Sequence, residues 1–184
     1  MPGTSTDGKR LALAFLSFAA LFFLGCLAGS VFPHLFARFL TRVVADTFEA
    51  VGHLERLSGT ALLPVFLLTF VYLKNFLVAA LCFLGARPTR GIFPGVVCLV
   101  NGLVLGWLGA VLAEAGVSPW RYAGALAPHG VVELPAVFAA SALGMARTGG
   151  GATRQFAPVA CALLVAACIE VFVSPHVAKV VGLT

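Results

Sequence analysis

Five long apolar segments constrain the fold of this chain more than any other feature. They alternate with shorter stretches that carry most of the charge, and 60% of the residues are hydrophobic while 10% are charged. Because the hydrocarbon core of a bilayer is about 30 Å thick, about 20 apolar residues let one helix cross it. We therefore predict one all-α domain, residues 1–184, that forms an integral membrane helical bundle with five transmembrane helices: 11–32, 60–84, 92–112, 131–145 and 156–173.

Composition excludes several classes of protein. A soluble domain carries about 25% charged residues, far more than this chain. The net charge of +5 is spread thinly, with no basic run and no interleaved aromatic residues, so we expect no nucleic-acid partner. The five cysteines lie inside apolar runs without metal-ligand spacing, which predicts free thiols.

Basic residues between the spans predict the orientation in the membrane. With a cytoplasmic amino terminus, the cytoplasmic side holds Lys9, Arg10, Arg87, Arg90, Arg147 and Arg154, and the other side holds Arg38, Arg42, Arg56, Arg121 and Lys179. The positive-inside rule favours this arrangement. We expect a multi-pass protein of the cell membrane with its amino terminus in the cytoplasm and its carboxyl terminus outside.

The start of the chain also has features of a signal peptide, because Lys9 and Arg10 precede an apolar run. The apolar part of a signal peptide is usually about 7–15 residues long. The run 11–32 is longer, which favours a retained helix over a cleaved signal.

Residues 34–58, between the first two spans, show helical periodicity with one polar side. Phe36, Leu40 and Val44 recur at helical spacing, whereas Arg38 and Asp46 fall on other faces. Such an amphipathic helix can lie in the membrane interface. A helix packed over the end of the bundle fits the pattern equally well.

Small residues recur four positions apart in three of the spans. In lipid, such rows let helix backbones approach closely. The rows are Gly25 and Gly29, Gly102 and Gly106, and Ala136, Ala140 and Gly144. They predict helix packing within one chain or, as the alternative, a homodimer interface.

Six charged, amide or imidazole residues in or next to the apolar spans are candidate site residues. They are Lys74, Asn75, Asn101, His129, Glu133 and Glu170. A charge near the centre of a membrane helix costs about 2.5–3.5 kcal/mol, so we expect these side chains to meet in one cluster inside the bundle. The cluster is either a binding pocket or a buried ion pair that fixes the packing.

The peptide 128–136 (PHGVVELPA) is the most distinctive stretch. His129 and Glu133 share a helix face, and Pro135 is expected to interrupt the helix before the main span. No nucleophile is matched to this pair, so we predict no catalytic residues. His129 and His176 lack the spacing of metal ligands, so we predict no metal and no cofactor.

Other stretches join this peptide in carrying a family resemblance. They are Lys74-Asn75-Phe76 followed by Val78-Ala79, Asn101-Gly102 followed by Gly106, the run 126–136, and Glu170 to Pro175. On these motifs, which cover about residues 60–176, the chain resembles the stage II sporulation protein M family. Lys74 departs from the family pattern, where Asn or another small polar residue is expected. The resemblance implies an all-helical, multi-span protein without established enzymatic activity, and in sporulating members a membrane scaffold that recruits peptidoglycan-degrading partners.

Two functions remain in competition. The first is a non-enzymatic membrane scaffold or assembly factor that contacts membrane lipids, forms a homodimer and binds membrane or envelope proteins. The alternative is a transporter or channel for a small solute or ion that uses the intramembrane polar cluster. An intramembrane enzyme centred on His129 and Glu133 ranks last.

Overall fold

The computed structural model describes residues 4–38, 40–42, 63–146 and 152–180, and this part of the chain is helical without strands. The helices are α1 (Thr4–Val31), α2 (Leu63–Ala86), α3 (Ile92–Glu114), α4 (Pro119–Ala146), α5 (Ala152–Phe172) and α6 (Ser174–Val180). The first five are long and apolar enough to cross a membrane. The predicted all-α bundle with five spans is confirmed.

Only the beginning of the predicted amphipathic helix 34–58 is described. Residues 33–38 and 40–42 are helical, and Leu40 is fully buried. The rest of that helix lies outside the described residues, so its position at the membrane surface stays a prediction.

Helix α4 departs clearly from its predicted span. It begins at Pro119 rather than at residue 131, and it continues to Ala146 through Pro128 and Pro135. The expected interruption at Pro135 was therefore wrong. Each proline removes one backbone donor, and neighbouring helices and small local adjustments let membrane helices tolerate that loss.

The two glycine pairs of α1 and α3 pack against each other. A Cβ atom on Gly25 or Gly29 would collide with the backbone of α3, and one on Gly102 or Gly106 would collide with the backbone of α1. Contact between these two helices is the most extensive in the bundle. Both glycine rows therefore serve helix packing within one chain.

The small-residue row of α4 packs against α2. A Cβ atom on Gly144 would collide with the carbonyl oxygen of Phe83. Ala136 and Ala140 join Ala79 and Phe83 in a buried cluster that residues of α5 complete. A homodimer, which stays a prediction, would therefore need a surface other than these three rows.

Candidate functional site

A cavity of about 1620 Å³ lies among α1, α3 and α4, with parts of α2 and α5 in its wall. Most of the wall is apolar. The polar residues predicted to cluster all line it: Lys74, Asn75, Asn101, His129, Glu133 and Glu170. Four helices thus bring these six residues to one space.

The cavity extends from one end of the bundle to its middle. Val31 at the end of α1 and Pro119 at the start of α4 line its upper part. Glu133 lies near the middle of α4, about 20 Å along the helix axis from Pro119 at a rise of about 1.5 Å per residue. A ligand at Glu133 would therefore lie near the centre of the bilayer.

Phenylalanine rings line the lower end of the cavity. Phe138 packs against Phe15 and Phe22, with ring centroids 5.8 and 5.6 Å apart, and all three line the cavity. Phe18 belongs to the same cluster and lines a smaller cavity of about 460 Å³, which also contacts Arg90. We call these four rings, each of which lines one of the two cavities, the aromatic septum.

Three side chains in the wall form a compact constellation. One ligand atom from each of His129, Glu133 and Glu170 lies within 4.8 Å of the other two. His129 and Glu133 are one helical turn apart on α4, and the packing of α5 against α4 adds Glu170. The sequence predicted the first pair on one face, whereas Glu170 required the helix packing.

Ser174 holds the imidazole of His129. The Ser174 hydroxyl donates to the carbonyl oxygen of Ile169 at 3.3 Å, and its Oγ lies 3.0 Å from Nδ1 of His129. When the hydroxyl proton is donated to Ile169, Oγ accepts from Nδ1–H of His129, and this tautomer keeps the lone pair on Nε2. Sequence reasoning missed Ser174, although a Ser-Pro pair directly after the last apolar run marks the junction of α5 and α6.

Asn75 is buried beside this constellation. Its side chain is only 4% exposed, and among the described residues its Nδ2 makes no hydrogen bond of standard geometry. Its amide nevertheless interacts with the carboxylate of Glu133. Lys74, the preceding residue, is exposed, and both Lys74 and Glu170 interact electrostatically with Glu133. The polar side chains therefore line the cavity as one interacting group centred on Glu133.

The remaining candidate residues lie outside the constellation of His129, Glu133 and Glu170. Asn101 lines the cavity but is exposed. Tyr122, which the sequence suggested only as an aromatic residue at the membrane interface, lines the cavity and donates from its hydroxyl to the carbonyl oxygen of Leu105 at 2.9 Å. His176 lies outside the cavity, and its Nδ1 is 3.0 Å from the carbonyl oxygen of Phe172. The histidine that was considered as a partner for His129 is thus not in the constellation.

Two carboxylates and one imidazole provide acceptors for a cation and groups that exchange protons. The apolar wall around them lowers the local dielectric constant and strengthens their interaction with a charged ligand. This arrangement is suited to binding a small cationic or polar species at membrane depth.

One family model matches most of this chain. The family model of stage II sporulation protein M matches residues 14–175. No match is found among curated proteins or among solved structures. The matched region contains all five candidate spans in large part and the whole polar constellation. The chain belongs to the stage II sporulation protein M family.

Proposed function

We propose that the protein binds a small cationic or polar solute in this cavity and carries it across the membrane. The observation that carries the proposal is the position of the six polar side chains. They line one cavity that reaches the middle of the bundle. Ionisable residues inside membrane spans typically mark substrate or ion pathways.

The two ends of the cavity differ, as transport by alternating access requires. One end continues to the start of α4, while the packed rings of the aromatic septum line the other. In the predicted orientation, with the amino terminus in the cytoplasm, the open end faces the outside of the cell. A solute would then enter from outside and bind in the cavity above the septum. It would cross the membrane when the rings of the septum move apart.

Prolines within α4 support movement near the site. Pro128 and Pro135 flank the polar turn that carries His129 and Glu133. Pro135 has no N–H group, so the carbonyl of Val131 lacks its usual helical donor, and Val131 lines the cavity. Weakened helical bonding beside a binding site is a recurrent feature of membrane transporters.

Current measurements on proteoliposomes containing the purified full chain test this proposal. Probes are alkali cations, ammonium and divalent cations, each applied as a gradient to a solid-supported membrane. Glu133→Gln and Lys74→Met are expected to abolish the current of the unmodified protein. Thr69→Val is the control, because the Thr69 hydroxyl is exposed and donates at 2.8 Å to the Val65 carbonyl within its own helix. Currents equal to those of empty liposomes, or equal currents in the parent protein and Glu133→Gln, would overturn the proposal.

A scaffold or assembly factor is the second candidate, and membership of the stage II sporulation protein M family supports it. In this reading the chain forms a homodimer or binds a membrane or envelope protein, and the polar constellation serves to fix helix packing. Chemical crosslinking in native membranes is expected to give a defined dimer or a defined heteromeric product. A chain that remains monomeric without crosslinked partners contradicts this second candidate.

A further inference from the structure

We propose that His129, Glu133 and Glu170 bind a divalent transition-metal cation of the Zn²⁺ or Mn²⁺ type. The role of that cation as a transported or coupling ion rests on the proposed transport function, but its binding does not. Each side chain offers one ligand atom, and the three atoms lie within 4.8 Å of one another. The site is near the middle of α4, inside the cavity already described.

The spacing of the ligand atoms fits a metal after a small adjustment. In a tetrahedral site with bonds of about 2.1 Å, ligand atoms lie about 3.4 Å apart. The observed separations of up to 4.8 Å therefore need to contract by about 1.4 Å at most. Rotation of the two flexible glutamate side chains is sufficient for that contraction.

Ser174 prepares His129 for this role. A metal-binding histidine typically donates its second ring N–H to a neighbouring acceptor, which fixes the tautomer and the ring orientation. Oγ of Ser174 lies 3.0 Å from Nδ1 of His129 and 3.3 Å from the carbonyl oxygen of Ile169. In the tautomer in which Nδ1–H donates to Ser174, Nε2 keeps a free lone pair for a cation.

Asn75 of α2 supports the same site. Its side chain is almost completely buried in the wall of the cavity, and Nδ2 makes no hydrogen bond of standard geometry in the described part of the chain. Its amide interacts with the carboxylate of Glu133, one of the three proposed ligands. Nδ2 is therefore available to donate to the oxygen of Glu133 that does not hold the cation.

The ligand types select the class of metal. Two carboxylate oxygens and one imidazole nitrogen suit borderline divalent cations, whereas Ca²⁺ and Mg²⁺ prefer all-oxygen sites. The two carboxylates neutralise the charge of a divalent cation. Lys74 lines the same cavity and limits the affinity by its positive charge. Moderate affinity allows an ion to leave as well as to enter.

The test is metal binding by the full chain in nanodiscs. Zn²⁺ binding is measured by titration calorimetry, and Mn²⁺ binding by electron paramagnetic resonance with detection of nitrogen coupling to the metal. Glu133→Gln and Glu170→Gln are each expected to weaken binding by about 100-fold, and Ser174→Ala by about tenfold. His129→Gln is expected to remove the nitrogen coupling. His176→Gln is the matched control, because His176 lies outside the cavity, and it is expected to bind as the parent does.

The results of these experiments distinguish a failure of the metal site from a failure of the proposed transport function. The metal site is overturned if the parent binds neither cation at millimolar concentration, or if His176→Gln loses binding and coupling as His129→Gln does. Circular dichroism verifies that each variant is folded. If a glutamate variant is not folded, Ser174→Ala and His129→Gln decide the question. Metal binding without flux would contradict transport alone, and flux without metal binding would contradict the metal site alone.

Discussion

Gly102 of α3 lies directly against the backbone carbonyl of Phe22 in α1, with no space for a side chain between them. The adjacent surface of α1 carries the ring of Phe22, which packs against Phe138 at the lower end of the cavity. The contact therefore fixes both the distance between the two helices and the position of one ring of the aromatic septum.

Replacing Gly102 by alanine is expected to destabilise the bundle by about 1–3 kcal/mol, because a Cβ atom forces the two backbones apart. Gly130→Ala is the matched control, since nothing lies within 4 Å of a Cβ atom there. That control is expected to leave the stability unchanged or to raise it by up to about 1 kcal/mol. Thermal unfolding in nanodiscs measures both. Equal melting temperatures for the two variants would show that the close approach of α1 and α3 contributes little.

Asn75→Leu is expected to stabilise the fold while weakening ligand binding. The substitution removes a buried amide whose Nδ2 makes no hydrogen bond of standard geometry, a gain of about 1–3 kcal/mol. Asn101→Leu is the comparison, because Asn101 is exposed in the same cavity and a smaller change in stability is expected. The measurements are the melting temperature and Zn²⁺ affinity of each variant. A lower melting temperature for Asn75→Leu would mean that the amide already has a stabilising partner.

Phe138→Ala is expected to make the membrane leaky to small ions. Removing this ring opens the aromatic septum, and the resulting void costs about 3–5 kcal/mol of stability. Phe66→Ala is the control, because the Phe66 side chain is 48% exposed and lies outside both cavities. Proton leak is followed with a pH-sensitive dye inside proteoliposomes. A similar leak in both variants would contradict the role of the septum as a barrier.

The amino and carboxyl termini are expected to lie on opposite sides of the membrane, because five spans separate them. Reporter fusions that are active only in the cytoplasm or only outside it measure the location of each end. An amino-terminal fusion is expected to report the cytoplasm, and a carboxyl-terminal fusion the outside. Two fusions that report the same side would contradict a bundle that crosses the membrane five times.

Much of the fold was predictable because long apolar runs in lipid have few alternatives to helices. The exception is the start of α4, where the prolines suggested a break that the structure does not have. Proline is expected to interrupt an isolated helix, but the helices packed around α4 stabilise its continuous form. The glycine rows were recognised, but the sequence could not show that the α1 row meets the α3 row.

The candidate site was predictable in its membership but not in its geometry. The rarity of charge in membrane spans identified residues such as Glu133 and Glu170. Their closeness to His129 arises from the way α5 packs on α4, which no spacing along the chain encodes. Ser174 was missed for the same reason, since its contact with His129 joins residues on separate helices.

The close backbone contact at the glycines of α1 and α3 restricts how these two helices can move. Two helices whose backbones touch at four positions cannot slide or tilt relative to each other without a collision. If the bundle changes conformation, α1 and α3 move together as one rigid unit. The displacement that admits or releases a solute must then come from α2, α4 and α5, the helices that bear the titratable side chains of the constellation and Lys74.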